Sequence, residues 1–279
     1  MAITGNTQLV DTKAEIISAL VQRELKFQSK LMSTVTDFSA IAAPGSRSVA
    51  LPKFGSFTVE NRASAAAATI QDLGVASNDV ITFDKRATVS WLIDSMDALQ
   101  ATPAVQQLYI SRAATSHARY IDEQILAVLD AAAGLDVGAA PITQALILDM
   151  REELIKNHAN MDQLFLVLGP DQEKLMLSIA DFVRADAFGS SNIPSGQIGK
   201  VYGVNVLVHA GVAAGKAFMY DKDAVGIAMQ RAPAYGENAA NQYGVGSVQA
   251  VLDQLFGLSA LQLGQLGKGA TLSPLIVEM

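Results

Sequence analysis

The segment TPAVQQLYISRAATSHARYIDEQILAVLDAAAG, residues 102–134, decides the architecture of this chain. Its apolar residues recur at spacings of three and four, which indicates a helix that buries one face. The helix begins at Asp94 or Ser95, or restarts at Pro103 with Thr102 as its N-cap, because proline suits the first turn of a helix. About thirty helical residues span roughly 45 Å, so the segment predicts a spine for the rest of the fold. The apolar positions are Ala114, Ala118, Ile121, Ile125, Val128 and Leu129.

Residues 46–92, which precede this helix, have a sequence pattern that predicts two long strands. One β-like run surrounds Leu51 and Phe54, and a second extends from residue 80 to residue 91. The stretch between them, residues 60–78, is rich in Ala, Ser and charged side chains. Since a two-stranded ribbon is marginally stable by itself in water, we expect an extended hairpin that is stabilised by lying on another surface.

The chain after the long helix alternates between helical and strand-like patterns. Thr143 can cap a helix, the apolar run 164–168 predicts a strand buried on both faces, and a short helix follows it. The alternating valines of residues 204–208 and the run 217–220 predict two further strands. This order predicts a compact α/β layer over roughly residues 141–230.

Three further segments complete the pattern. The capping box at residues 12–15 predicts a helix near the start of the chain, after a short mobile arm. Residues 231–246 carry Pro, Gly and Asn, and they predict a flexible loop. Apolar residues between Val248 and Leu261 predict strands that pair back beside the spine helix.

The composition restricts the class of protein. Half of the 279 residues are hydrophobic, yet no apolar run approaches the ~20 residues that a membrane-spanning helix needs. The formal net charge is −7, which disfavours tight, direct binding of nucleic acid because phosphate contacts need clustered Lys and Arg. The chain has no cysteine and no recognisable signal peptide. We therefore expect a protein that buries much apolar surface against copies of itself.

Four short strings, taken in order, resemble the major capsid proteins of tailed bacteriophages, the family whose fold is named after phage Hong Kong 97. IDSMDA at residues 93–98 is similar to the family's transition from extended loop to spine helix, and YIDEQIL at residues 120–126 is similar to part of the spine. LVLGP at residues 166–170 resembles a strand and turn of the axial domain. GQIGKVYGV at residues 196–204 is the closest match.

The resemblance implies an α+β fold of the Hong Kong 97 type, and it covers essentially the whole chain. It implies an N-terminal arm and helix (1–45) and an extended two-stranded loop (46–92). A peripheral domain with the long spine helix would comprise residues 93–140 and 246–279, and an α/β axial domain would comprise residues 141–245.

The same resemblance implies a function in assembly rather than catalysis. Such a protein assembles through hexamers and pentamers into an icosahedral shell around the viral DNA genome. Its expected partners are copies of itself, a portal protein, and double-stranded DNA held without sequence-specific contact, with no membrane. Because the predicted arm starts almost at Met1, the resemblance implies a separate scaffolding protein, or none. The protein would be found in the virion after assembly in the host cytoplasm.

Candidate interface residues follow from this assignment. Charges cluster on the predicted hairpin, where little core is expected, so Arg47, Lys53, Glu60 and Arg62 are predicted to form ion pairs between subunits. Trp91 is expected to anchor the base of the extended loop in apolar packing. Arg231 and Tyr235, in the predicted second loop, are expected near the centre of a ring of axial domains.

The sequence carries no catalytic or metal-binding motif, and no cofactor is expected. His117, His158 and His209 are scattered, and His117 is expected on the polar face of the spine helix. Gly199-Lys200 lacks the preceding glycine and the following Ser or Thr of a phosphate-binding loop. Three carboxylate pairs are expected to be helix caps or solvated surface: Asp94 with Asp97, Glu152 with Glu153, and Asp221 with Asp223.

Two alternatives stay open at this level. An encapsulin-like nanocompartment shell protein would have the same fold, but it needs a cargo-docking groove that the sequence does not identify. A soluble oligomeric α/β enzyme, centred on residues 141–230, would need a pocket with converging polar groups.

Overall fold

The computed structural model describes residues 29–54, 59–61, 69–70, 75–93, 104–132, 135–136, 141–157, 159–178, 199–261 and 276–278. The predicted helix that follows residue 12, the string at residues 93–98 beyond Ile93, residues 196–198, Arg62 and His158 lie outside these ranges. The helices are α1 (Ala104–Ala132), α2 (Gln144–Lys156) and α3 (Pro170–Leu177). The strands are β1 (Thr36–Asp37), β2 (Ser48–Phe54), β3 (Val75–Thr82), β4 (Lys85–Ile93), β5 (Leu135–Asp136), β6 (Leu164–Leu168), β7 (Lys200–Val201), β8 (Val204–Val208), β9 (Ala217–Asp221), β10 (Val225–Ala239), β11 (Val248–Ala260) and β12 (Ile276–Glu278).

Helix α1 is the predicted spine. It has 29 residues, which corresponds to roughly 44 Å. Of the six apolar positions predicted for its buried face, all except Val128 are buried, and Val128 packs partly against the same core. The three-and-four spacing therefore identified both the helix and the face that it packs.

A six-stranded sheet forms the α/β layer, with strand order β5-β12-β9-β6-β8-β7. The predicted order of helix, strand, helix, strand and strand is confirmed by α2, β6, α3, β8 and β9. Thr143 caps α2 as predicted, since its hydroxyl accepts a hydrogen bond from the Leu146 N–H at 3.2 Å. β6 lies between β9 and β8, and it is buried along nearly its whole length, as predicted.

A four-stranded sheet, with order β1-β10-β11-β4, packs against α1. The predicted return of residues 248–261 beside the spine is confirmed by β11. The prediction of a flexible loop over residues 231–246 is wrong for residues 231–239, because β10 continues to Ala239, and residues 240–247 connect β10 to β11. Register shifts between Met229 and Ala234 absorb the residues that do not fit regular pairing, and such bulges tolerate a proline like Pro233.

The predicted extended hairpin exists as the two-stranded sheet β2–β3, in which Ser48 pairs with Thr82 and Phe54 with Val75. Its expected second strand is in fact two strands, because the chain turns after Thr82 and β4 pairs with β11 instead. The base of the hairpin packs closely on β11. An alanine Cβ at position 257 would overlap the Thr82 carbonyl, whose carbon would lie 2.8 Å away, so glycine permits this close approach.

Two polar residues predicted at the surface are buried. His117 is only 1% exposed, on the face of α1 that packs under β11, where its Nδ1 lies 3.2 Å from Gln254 Oε1. Asp221 is also 1% exposed, and its carboxylate accepts a hydrogen bond from the Asn160 N–H at 2.9 Å. Burial raises the pKa of Asp221 because the charged carboxylate loses its hydration. The prediction for His117 was wrong, since polar type alone does not tell which face a tertiary partner covers. Asp221 occupies the N-cap position of the short helix Lys222–Ala224, as the cap alternative predicted, but it is buried rather than solvated.

Candidate assembly surface

The charged residues predicted to form ion pairs are spread along the β2–β3 hairpin. Arg47 is exposed beside its base, where its carbonyl accepts a hydrogen bond from the Phe83 N–H at 3.0 Å. Lys53 lies in β2 opposite Ser77, roughly 20 Å further along an extended chain. Glu60 is exposed beyond the end of β2, and Arg62 lies outside the described residues. Arg47 and Lys53 therefore do not come together within one subunit, and ion pairs with a neighbour stay a prediction.

Trp91 and Tyr235, predicted separately, are brought together under the four-stranded sheet. Their ring centroids lie 6.1 Å apart, and they pack with Leu252 and with Ala114 of α1. The Tyr235 hydroxyl donates a hydrogen bond to Glu237 Oε1 at 2.6 Å, and burial raises the pKa of Tyr235. The pair anchors β4 and β10 to the spine helix, so its role lies in holding the sheet in shape.

Arg231 belongs to a charged cluster on the opposite, outward face of that sheet. Arg86 makes a two-pronged contact with Asp253, at 3.2 Å from Nε and 3.0 Å from Nη2. Thr88 donates to the same carboxylate at 2.7 Å, and Arg231 Nη1 lies 3.7 Å from it. The hydrogen bond from Arg86 is the main reason that the pKa of Asp253 lies below its ordinary value.

This cluster was missed at the sequence level because its members come from three strands. The strand register brings them together: Asp253 pairs with Thr88, and Leu255 pairs with both Arg86 and Arg231. Both guanidinium groups are mostly exposed, so they retain donors that point to solvent in the isolated subunit.

Large apolar side chains are exposed on the projecting segments. Val59 and Ile70, beyond the strands of the hairpin, are 95% and 96% exposed. Val245, in the connection between β10 and β11, is 92% exposed, and Tyr243 beside it is also exposed. Large apolar side chains that are almost fully exposed are candidates for contact with other protein molecules.

The helices of the α/β layer add a second apolar region. Leu148 and Ile155 are exposed on α2, one heptad apart, and Leu175 and Leu177 are exposed on α3. Residues seven apart lie on one face of a helix. The outer face of α2 therefore carries an apolar stripe beside the ion pairs of Lys156 with Glu152 and Glu153.

A cavity of about 240 Å³ lies between α1 and the β8–β9 connection. Its polar residues are Glu123, Asp130 and Lys216, and Lys216 forms an ion pair with Asp130. In the part of the chain that the structure describes, no group of three or more His, Asp or Glu residues could hold a metal ion. Across the described helices, none is long and apolar enough to cross a membrane.

Comparison with solved structures gives the same architecture. Mycobacterium phage Che8 matches with a TM-score of 0.70 and 17% identity, over 90% of each chain. The capsid of Cyanophage P-SCSP1u matches with a TM-score of 0.68 and 14% identity, over 88% of this chain and 85% of that one. A virus-like particle from Pyrococcus furiosus matches with a TM-score of 0.60 and 9% identity, over 96% and 99% of the two chains. These likenesses establish the fold that the sequence predicted.

Sequence comparison supplies the family. No curated protein matches the chain. The sequence model described as phage capsid protein matches residues 74–252, which is more than half of the chain. Family and fold together point to a structural protein of the virion rather than an enzyme. The chain belongs to the phage capsid protein family and is a major capsid protein of the Hong Kong 97 type, a subunit of an icosahedral shell.

Proposed function

We propose that the subunit assembles through hexamers and pentamers into a closed shell that encloses double-stranded DNA without sequence-specific contact. A separate scaffolding protein and a portal protein would take part, and assembly would occur in the host cytoplasm. The net charge of −7 supports a wall that surrounds DNA without binding it tightly.

The observation that carries this proposal is the poor support of the β2–β3 hairpin within its own subunit. Among the strand positions whose burial the structure describes, residues 48–52 and 78–82, only Val49, Leu51 and Ile81 are buried. Val59 and Ile70, further along the same loop, are almost fully exposed. A ribbon of this kind gains stability by lying across an adjacent subunit.

Several weak contacts of this kind would make the shell stable. The exposed stripe on α2 and the tip at Tyr243 and Val245 offer further apolar surface for copies around a ring or between rings. A closed lattice engages all these surfaces at once, so the assembly can be stable although each contact is weak.

The hairpin charges are a testable part of the proposal. Replacing Arg47, Lys53, Glu60 and Arg62 by alanine should lower the temperature at which shells dissociate. A matched control replaces Arg112, Arg119, Lys200 and Glu123, which are exposed and lie outside the hairpin and the α2 stripe, and it changes the net charge equally. Shells of the hairpin variant that are as stable as those of the control would contradict a role for these ion pairs.

An encapsulin-like nanocompartment is the second candidate. The virus-like particle from Pyrococcus furiosus has the same fold over nearly all of both chains, so the fold alone does not separate the two candidates. The family match to phage capsid proteins favours the viral shell. Purified shells that enclose a protein cargo and no DNA would favour the compartment.

Electron microscopy of the purified protein, with light scattering on the same sample, tests the proposal first. We expect shells, tubes or curved sheets of many copies. Protein that stays a small, discrete oligomer at high concentration, in a crowding agent and together with the proposed scaffolding protein would contradict assembly into a shell. In that case the cavity beside Asp130 and Lys216 would become the place to test for a small-molecule ligand and an enzymatic role.

A further inference from the structure

Asp122, in the middle of α1, is a carboxylate buried at a junction of three parts of the subunit. Its residue is 3% exposed, and its side chain faces the chain segment at Ser29 as well as the end of β8. A buried carboxylate is costly unless hydrogen-bond donors replace its lost hydration. The donors around Asp122 therefore show what must be in place for α1 to pack as it does.

Three of these donors come from three consecutive residues. The Ser29 hydroxyl donates to Oδ1 at 2.5 Å, the Lys30 N–H to Oδ2 at 3.2 Å, and the Leu31 N–H to Oδ1 at 3.3 Å. The hydroxyl of Ser29 also accepts a hydrogen bond from the Met32 N–H at 3.2 Å. One side chain of the spine thus fixes the backbone at the start of the described chain.

A fourth neighbour of Asp122 comes from the α/β layer. His209 Nε2 lies 3.3 Å from Asp122 Oδ2, and His209 Nδ1 accepts a hydrogen bond from the Gly211 N–H at 3.0 Å. Because Nδ1 is engaged with the backbone, Nε2 is the ring nitrogen that faces Asp122. The contact links α1 to the end of β8.

Residues 29–37, which we term the strap, continue from this point across the subunit. Thr34 Oγ1 lies 2.7 Å from the Tyr220 hydroxyl of β9, and Thr36 Oγ1 donates to Asp223 Oδ1 at 2.7 Å. β1, at the end of the strap, pairs in parallel with β10. The strap therefore joins the spine helix to both sheets, and Asp122 holds its first three residues.

We propose that Asp122 is a positioning residue for assembly: it holds the strap, and with it the point at which residues 1–28 join the subunit, against both α1 and the α/β layer. This inference rests on the proposed function, and it adds that the N-terminal arm implied by the resemblance contacts another subunit. A fixed starting point limits the directions in which a chain can reach a neighbour, and so lowers the entropy lost on contact.

Asp122→Asn and Ser29→Ala test the proposal. The side-chain amide introduced by Asp122→Asn would present a donor where the carboxylate now accepts. Ser29→Ala removes the two hydrogen bonds of the hydroxyl, with Asp122 and with the Met32 N–H, and changes the shape little. Hydrogen exchange of the purified, unassembled subunit should become at least tenfold faster at the amides of Lys30 and Leu31 in Asp122→Asn, and less so in Ser29→Ala. Amides of β6 should exchange as in the wild type.

Asp130→Asn is the matched control, because Asp130 lies two turns further along α1 and is mostly exposed in its ion pair with Lys216. The exchange rates of its strap amides and the regularity of its shells should match those of the wild type.

Electron microscopy should find fewer regular shells for Asp122→Asn. Exchange that is unchanged at the strap, or accelerated equally in β6, would overturn the proposal, and so would normal shells from a variant with a loosened strap. If Asp122→Asn does not fold, the hydrogen exchange and the shells of Ser29→Ala test the proposal instead.

Failure of the proposed function has a different signature. Wild-type protein that forms no shells would contradict self-assembly, and with it the role of Asp122 in assembly. The exchange measurement would then still decide whether Asp122 holds the strap.

Discussion

The two long ribbons of the subunit, β2–β3 and β10–β11, have similar antiparallel pairing but different support. β10–β11 is flanked by β1 and β4, and α1 covers one face, where Tyr235, Leu252 and Phe256 are buried. β2–β3 is a separate two-stranded sheet that packs on the body through its base. The first ribbon can be stable within one subunit, whereas the second needs a surface from outside.

This difference separates residues that fold the subunit from residues that join subunits. On β3, Ile81 is fully buried against Ala228 and Leu261, while its neighbour Val80 is 44% exposed on the opposite face. Adjacent positions of one strand therefore differ in role: Ile81 folds the subunit and Val80 is available to join subunits. Substituting each residue separately distinguishes the two roles.

Ile81→Ala should give the largest effect on the subunit. Removing a fully buried isoleucine side chain leaves a cavity and costs about 2–5 kcal/mol of unfolding free energy, measured by urea denaturation of the unassembled protein. Val80→Ala is the control, expected to change subunit stability by less than about 1 kcal/mol while lowering the dissociation temperature of shells. Equal losses of subunit stability in both variants would contradict the assignment of the two faces.

Gly257→Ala should break the contact between the two ribbons. The added methyl group overlaps the Thr82 carbonyl, and overpacking of this kind costs about 1–3 kcal/mol. Gly236→Ala on β10 is the matched control, because no atom lies within 4 Å of its added Cβ. The same denaturation measurement should give a stability near that of the wild type for the control. A neutral Gly257→Ala would mean that the base of the hairpin is not held tightly on β11.

Local patterns predicted the elements of this fold where one pattern dominates a segment. The spine helix, the cap at Thr143, the buried strand at residues 164–168 and the return of residues 248–261 all follow from periodicity or capping. Residues 231–239 were missed, because Pro233 and Gly236 are typical of loops and the bulges that accommodate them depend on pairing with β11. Periodicity does not contain that information.

The candidate assembly surface was harder to predict than the fold. Arg231 was named from its sequence context, but its partner Asp253 lies on the next strand, where Asp253 also binds Arg86 of β4. Asp122 stood within a string that resembled the spine, yet nothing in the sequence indicated that Ser29 and His209 would meet it. Contacts between residues about ninety positions apart are set by tertiary packing.

The face of the β10–β11 ribbon that α1 covers predicts that subunit stability depends on pH. His117 lies under β11, and burial lowers its pKa because the imidazolium would lose hydration, although the hydrogen bond with Gln254 opposes this shift. The unfolded chain binds the proton near pH 6.5, so subunit stability should fall as the pH drops below that value toward the lowered pKa. His117→Met should flatten this slope between pH 7.5 and about 5 in denaturation experiments. An unchanged slope would exclude His117 as its source.

The outward face of the same ribbon should give the smallest effect on the subunit. The pKa of Asp253 is lowered, first by the hydrogen bond from Arg86 and also by Thr88 and Arg231, so the ionised carboxylate stabilises the folded state above the ordinary Asp pKa near 3.9. That contribution is lost as the pH falls from this value through the lowered pKa. Asp253→Asn should therefore reduce stability slightly at pH 7, and the difference from the wild type should shrink below pH 4. A difference that stays constant down to pH 2 would mean that Asp253 acts through packing, since protonation would then leave its contribution unchanged.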